Sequence, residues 1–514
     1  MCPTRSGYLV ILVLIVLLAL CSVGCGDGGG GASAPEGDSG SQDNGDSGSD
    51  GGTPSGETQI DLIPQWDPAD FDTVYTVGPG AAYADPGEVP WESLQAGTLV
   101  QIFWREEPYR CKWVINTVAT AEKPLVVEGV ADGGRRPVIS GADAVTRPEL
   151  NYWNENRSVV KVGGSNLPTD DVVPAHIVIQ GLEIRSARPA YHFTDDDGHS
   201  GTYAENAAAI HVEVGQKIQI VDCVLHDAGN GLFSGHGSGA LTIRACHLYD
   251  NGIDGSIYHH NSYTESAGIR FEYNHYGPLR SGALGNNLKD RSAGTVIRYN
   301  WIEGGNRQLD LVETDYADIA ADPSYDRTFV YGNILVEPDG AGNSQILHYG
   351  GDGDGYFREG TLYFYHNTVI STRSGNTTLM RLATNAASAD LRNNLIFASA
   401  GGDFVAITSG RGQIRLQHNW LQVGWQETHE AALDPGAEVV ALTNTEGETP
   451  GFLGPADADY ALTADAPAAD CGGEIAAEAI SAQGEVDWQY DPHQARSERP
   501  TDGLPDAGAF ESNQ

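Results

Sequence analysis

Nine times along this chain an eight-position pattern of apolar and polar residues returns: IVIQGLEI from residue 177, IQIVDCVL from 218, LTIRACHL from 241, IRFEYNHY from 269, TVIRYNWI from 295, TFVYGNIL from 328, LYFYHNTV from 362, ADLRNNLI from 389 and IRLQHNWL from 414. The first, third and eighth positions are mostly apolar and the sixth is often asparagine. Alternation over the first four positions marks a strand with one buried face, and the asparagine followed by another apolar residue marks a bend into a second strand. The sixth positions fall at 182, 223, 246, 274, 300, 333, 367, 394 and 419, and most intervals suit one coil of a parallel β-solenoid, the longer ones carrying loops. Leucine-rich repeats would need a leucine signature absent here, and propeller blades would need about forty residues each. The expected fold is all-β: a single parallel β-helix with an N-terminal cap and an irregular closing segment. Asn274, Asn300, Asn333, Asn367, Asn394 and Asn419 are expected to stack as a ladder that satisfies backbone groups at the bend.

Composition adds a location. The chain has 514 residues, 65 glycines and a formal net charge of -41, which suits a strand-and-turn protein outside the cell and weighs against nucleic acid as a partner. Arg5 precedes an apolar run from Tyr8 to Cys21 that is short and early for a membrane span and reads as an export signal. Residues 26–58 are mostly Gly, Ser, Asp and Glu with little to bury, so they read as a tether. The expected division is a signal at 1–25, the linker at 26–58, a cap and first coils at 59–120, the β-helix at 121–435 and a closing segment at 436–514. The stretch ADPGEVPWESLQAG, 84–97, is the candidate cap over the first coil. Cys111, Cys223, Cys246 and Cys471 are too few and scattered for a disulfide scaffold or a zinc site. Cys223 and Cys246 share one repeat position, within disulfide reach, although stacked free thiols are the expected state. A monomer is expected.

Residues at equal offset from the ladder lie side by side in neighbouring coils. Offsets of thirteen to fifteen bring together His259 (with His260 and Asn261), Lys289, Glu313 (with Asp315), His348 and Arg381. Such a column belongs on an outer face, because core-facing positions exclude charge. Between Ile269 and Gln308 there are six basic residues (Arg270, Arg280, Lys289, Arg291, Arg298, Arg307) against three acidic ones, a positive island that would suit an acidic polymer.

These repeats resemble the right-handed parallel β-helix proteins, the class of pectate lyases, chondroitin and alginate lyases and polygalacturonases. The resemblance spans roughly residues 75–514; LVVEGVADGGRRPVISGADA (125–144) is similar to early coils, and ADYALTADAPAADCGG and DAGAFE to the closing segment. Right-handed winding follows from it and from the preference for right-handed crossovers. NNLKDRS (286–292) is similar to the segment holding the catalytic lysine of alginate and chondroitin lyases. The chain departs from those families where Val312 replaces an arginine, and where Gly282 and Leu284 stand at the places of two calcium-binding glutamates. Ser22-Val23-Gly24-Cys25 resembles a lipobox, which implies an exported bacterial lipoprotein held at the outer membrane or cell surface by lipid on Cys25.

Three functions stay open. As a lyase on an acidic, uronate-containing polysaccharide, the protein would use Lys289 as base, its pKa lowered by Arg291, with Arg291 and Arg280 on the substrate carboxylate, His259 or His348 moving a proton, and Asn286, Asn287, Asp315, Tyr258 and Arg381 in contact with substrate. No cofactor is required, with calcium as the candidate addition. As a glycoside hydrolase it would use Asp310 and Glu313, with Asp315 nearby. As a non-catalytic surface protein it would present Tyr258, Tyr263, Tyr276 and Trp301 to sugars.

Overall fold

The computed structural model describes residues 62–400, 402, 404–501 and 503–512. Cys25, the signal and the whole of the linker lie outside these residues. Among them, one sheet carries 24 strands and another 11, and the coil-to-coil pairings are parallel, so the chain is the all-β parallel β-helix that the repeat predicts. No helix among the described residues is long and apolar enough to cross a membrane.

The repeat maps onto one corner of each coil. Its first four positions pair strand on strand, as Ile269–Arg270–Phe271–Glu272 does with Thr295–Val296–Ile297–Arg298. The fifth position is left-handed in all nine copies, at Gly181, Asp222, Ala245, Tyr273, Tyr299, Gly332, His366, Asn393 and His418. A left-handed residue other than glycine costs about 1–2 kcal/mol. The sixth position supplies the bonds that hold it. The Asn300 side chain accepts the backbone N–H of Asn274 at 2.9 Å, and Asn333 does the same for Asn300 at 2.9 Å. Each amide also donates, as Asn333 does to the carbonyls of Ile297 (2.9 Å) and Tyr331 (3.0 Å) and to Asn367 (2.9 Å). The ladder runs one rung past the expected six, to Asn444, which accepts from Asn419 at 3.1 Å. Its octad, VVALTNTE, ends on Glu446 rather than an apolar residue, which hid it from the pattern. Cys223 and Cys246 continue the ladder as buried free thiols, with Cys246 Sγ 3.4 Å from the N–H of Cys223.

After the ladder each coil makes a short second strand, turns, and makes a third strand before the next octad. A second asparagine ladder stabilises that turn: Asn251 donates to Asn261 at 2.9 Å, and Asn261 to Asn287 at 2.7 Å. Asn287 is fully buried and also donates to the carbonyls of Gly277 and Glu303, so it is a structural rung and not a substrate contact.

The N-terminal end of the core is covered. Trp91, from the expected cap, stacks on Trp113 with ring centroids 4.7 Å apart, and Val89 and Leu94 join the same apolar cluster. The closing segment folds back along the outside of the ladder corner. Gln494 reaches the Ala245 carbonyl, Ala509 donates to Thr368, and Tyr460 stacks on Trp301. Trp301 is therefore buried under that segment and Tyr276 lies in the core, so neither offers a ring to a sugar.

Candidate functional site

The third strand of each coil builds the site. In Leu288–Asp290, Leu309–Leu311 and Gln345–Tyr349, the residues Leu288, Leu309 and Leu347 pair in register and enter the core. Period-two alternation then turns Lys289, Asp310 and His348 outward. Register gives one column, Tyr263–Lys289–Asp310–His348–Arg381, one residue from each of five coils.

Counting from the ladder put Lys289, His348 and Arg381 in this column, as observed, but also His259 and Glu313, which are not in it. The turn before the third strand varies in length, so Tyr263 and Asp310 take those two rungs. His259 is buried in the preceding turn with Nδ1 2.8 Å from Ser256 Oγ. Its neighbour His260 accepts the Asn286 N–H at Nδ1, and burial together with the Lys289 charge pushes its pKa down to about 3. Glu313 lies past the end of its strand, 1% exposed, and accepts the N–H of Asp352 at 3.0 Å. Tyr258 is 73% exposed, outside the column.

Asp310 is the hub. Its Oδ2 accepts from Lys289 Nζ at 2.9 Å and from Asn286 Nδ2 at 2.7 Å, and its Oδ1 lies 3.0 Å from His348 Nδ1 and 3.9 Å from Arg307. Burial opposes its charge, but His348 and Lys289 outweigh that and hold the carboxyl far below its ordinary range. For Lys289, burial favours the neutral amine, yet Asp310 and Asp352 win and its pKa is raised. The expectation that Arg291 would lower it is therefore overturned. The charges facing Lys289 are carboxylates, and Arg291 is turned to Asp315 at 2.9 Å. Asp290 does not face the lysine either. It points into the core and pairs with Arg358, both fully buried, 3.2 Å apart.

The remaining cations divide among different faces. Arg280 is engaged by Asp227 (2.7 Å) and Asp250 (3.2 Å). Arg298 pairs with Glu272 on the octad strands. The positive island is thus three separate settings, of which only Lys289, Arg291 and Arg307 adjoin the column. Arg381 makes no ion pair or hydrogen bond among the described residues. His348 is fully buried, and its Nε2 has no hydrogen-bond partner.

Asp310, His348 and Asp352 bring one ligand atom each to within 4.8 Å of one another. Calcium takes six to eight oxygen ligands. Here two carboxylates and an imidazole face an ammonium already 2.9 Å from one and 3.9 Å from the other. With only two carboxylates and one ring nitrogen, and the Lys289 ammonium drawn towards both carboxylates, this donor set does not fit calcium. A cavity of about 840 Å³ under the closing segment, lined by His366, Arg499 and Glu511 among others, includes none of the column residues. Glu265 was not singled out from the sequence. It shares Tyr263's strand end, bonds Thr314, and is raised in pKa by burial.

No family model and no curated protein matches the chain. Among solved structures, it is similar to pectate lyase Pel9A, at 12% identity over 86% of this chain and 97% of that one, with a TM-score of 0.45. It is also similar to an alginate lyase from Paenibacillus sp. str. FPU-7, at 13% identity over 67% and 98%, TM-score 0.42. A third is XylC in complex with xylose, at 11% identity over 74% and 87%, TM-score 0.42. These likenesses are of outline.

Proposed function

We propose that the protein is a polysaccharide lyase that cleaves an acidic, uronate-containing polymer by β-elimination at the Lys289–Asp310–His348 column. The observation that carries this reading is the Asp310–His348 contact with an unpartnered Nε2. A carboxylate on Nδ1 holds the proton there and leaves the Nε2 lone pair as base. In the step, C5–H gives its proton to Nε2, the C4–O bond breaks as C4=C5 forms, and the leaving oxygen takes a proton from the Lys289 ammonium. Lys289 thereby serves as acid rather than base, consistent with its raised pKa. The unpaired Arg381, next in register to His348, takes the uronate carboxylate and makes C5–H more acidic. Asp352, the exposed member of the cluster, marks the side from which substrate enters, across the Gly351–Gly355 stretch.

A hydrolytic pair needs one protonated carboxyl opposite a second, free one. Asp310 is held ionised and Glu313 is committed to the Asp352 N–H, which favours elimination. The test follows unsaturated product and new reducing ends separately, on polygalacturonate, alginate and neutral xylan, with wild type, His348→Gln and Lys289→Met. Unsaturated product from a uronate polymer, lost in both variants, supports the lyase. Reducing ends without unsaturation would transfer the reading to hydrolysis, and binding without either would leave a non-catalytic surface protein.

We also propose that the chain is an exported lipoprotein anchored through Cys25, with residues 26–58 holding the β-helix off the membrane. Cys25→Ala should release it from the membrane fraction; unchanged membrane association would point to an uncleaved anchor instead.

A further inference from the structure

The column continues upstream of Lys289. Tyr263 pairs with Phe233, Phe233 with His211, and His211 with Lys161. Phe233 and Tyr263 are half-buried rings on the outer face, 5.3 Å apart and inclined at 67°. Lys161 is neutralised by Glu213 at 2.6 Å. Arg157 is not neutralised: its guanidinium carbon sits 4.9 Å from the Phe233 ring centre, it makes no ion pair or side-chain hydrogen bond among the described residues, and its Nε is buried without a partner. His211, 4% exposed with its ring 5.2 Å from Phe233, has an Nδ1 likewise without a partner. A ring face compensates a guanidinium only in part, because the N–H edges still require acceptors. Two apolar faces, an uncommitted cation and an orphaned imidazole nitrogen thus meet at one end of a charged column.

We infer that Arg157, His211, Phe233 and Tyr263 form a subsite for an anionic pyranose, with the carboxylate on Arg157, a hydroxyl on His211 Nδ1 and the C–H face of the sugar on the two rings. This rests on the reading of the column as a polysaccharide face and adds where a second sugar is held. The negative faces of the rings attract the weakly positive C–H groups of a pyranose. From Phe233 to Arg381 is five strand steps, about 24 Å at the inter-strand spacing. A polymer lying along the column therefore reaches the subsite and Arg381 at once, whereas a short oligomer does not.

The test is calorimetric binding of long and short oligogalacturonates and oligomannuronates to the full chain, for wild type, Arg157→Gln and Phe233→Leu, with xylan oligomers as the neutral control. Arg157→Gln should weaken long acidic oligomers about tenfold or more, the worth of a hydrogen bond to a charged group, and flatten the salt dependence of their binding. Phe233→Leu should weaken long oligomers as well, and thermal melts confirm that each variant is folded. Should Phe233→Leu not fold, Arg157→Gln and Arg157→Lys, both on a half-buried side chain, decide alone. Equal affinity of wild type and Arg157→Gln for long acidic oligomers overturns the subsite even if unsaturated product forms. Affinity lost in Arg157→Gln, with no unsaturated product from wild type, upholds the subsite while overturning the lyase. Failure of wild type to bind any acidic oligomer overturns the subsite.

Discussion

Oδ1 of Asp310 lies 3.0 Å from Nδ1 of His348, a contact between residues 38 positions apart that adjacent coils bring into register. The same carboxylate holds Lys289, so a single side chain contacts both proposed proton-transfer groups. Asp310→Asn preserves volume and removes that charge. Turnover should fall by about 10²–10⁴-fold, the range for misplacing a general acid or base, with a smaller change in KM. Unchanged kcat in the folded variant would make the cluster structural.

Acid stability follows from the same residue. The folded pKa of Asp310 is depressed, so its contribution is fully present above the unfolded value of about 3.9 and is lost as pH falls below it. Wild type should exceed Asp310→Asn in melting temperature at neutral pH, and the two should converge on acidification. A gap that does not narrow between about pH 4 and about pH 2 would show that Asp310 acts through packing.

The repeat corner was legible because one octad encodes strand, left-handed residue and ladder rung at fixed positions. The column was only half legible. Lys289, His348 and Arg381 fall near a constant offset, but Asp310 follows a shorter turn after Asn300 and Tyr263 a longer one after Cys246, and no local pattern measures turn length. Asp290 shows a second obstacle. It stands between Lys289 and Arg291 in the chain, yet alternation sends it to the core, where its partner Arg358 comes from two coils later. Which charges neighbour one another on a solenoid is a property of faces, and the sequence lists them consecutively.

The Asp290–Arg358 pair gives a prediction about folding. Asp290 also accepts from Thr264, Ser292 and Thr295, and Arg358 donates to the Val312 carbonyl. Removing one partner leaves a buried charge, at a cost of about 3–5 kcal/mol. Arg358→Met should therefore lower stability by that amount in denaturant titration, and Arg358→Met with Asp290→Asn should recover part of it. If the double variant is no more stable than Arg358→Met, charge burial is not the cause.

Along the asparagine ladder the cost should depend on position. Asn333→Ala strands the N–H of Asn300 and the carbonyls of Ile297 and Tyr331 inside the protein, costing about 1–3 kcal/mol. Asn444 is half-buried on the last rung, so Asn444→Ala should cost less. Equal losses at both positions would contradict a ladder whose worth comes from desolvated backbone groups.

Glu337 carries the last prediction. It is fully buried, and burial pushes its carboxyl up to about 7 despite the opposing pull of Gln308 and of Arg373, 3.3 Å away. An unfolded glutamate titrates near 4.3, so between about 4.3 and 7 the folded state binds more protons than the unfolded one. Stability contributed by this group therefore falls as pH rises through that window. Glu337→Gln keeps the shape and removes the titration. Relative to wild type, its melting temperature should rise from about pH 5 to about pH 8, the difference growing across the window and then levelling. A constant difference would mean that Arg373 holds Glu337 ionised throughout, and a difference that shrinks with rising pH would reverse the sign of the coupling.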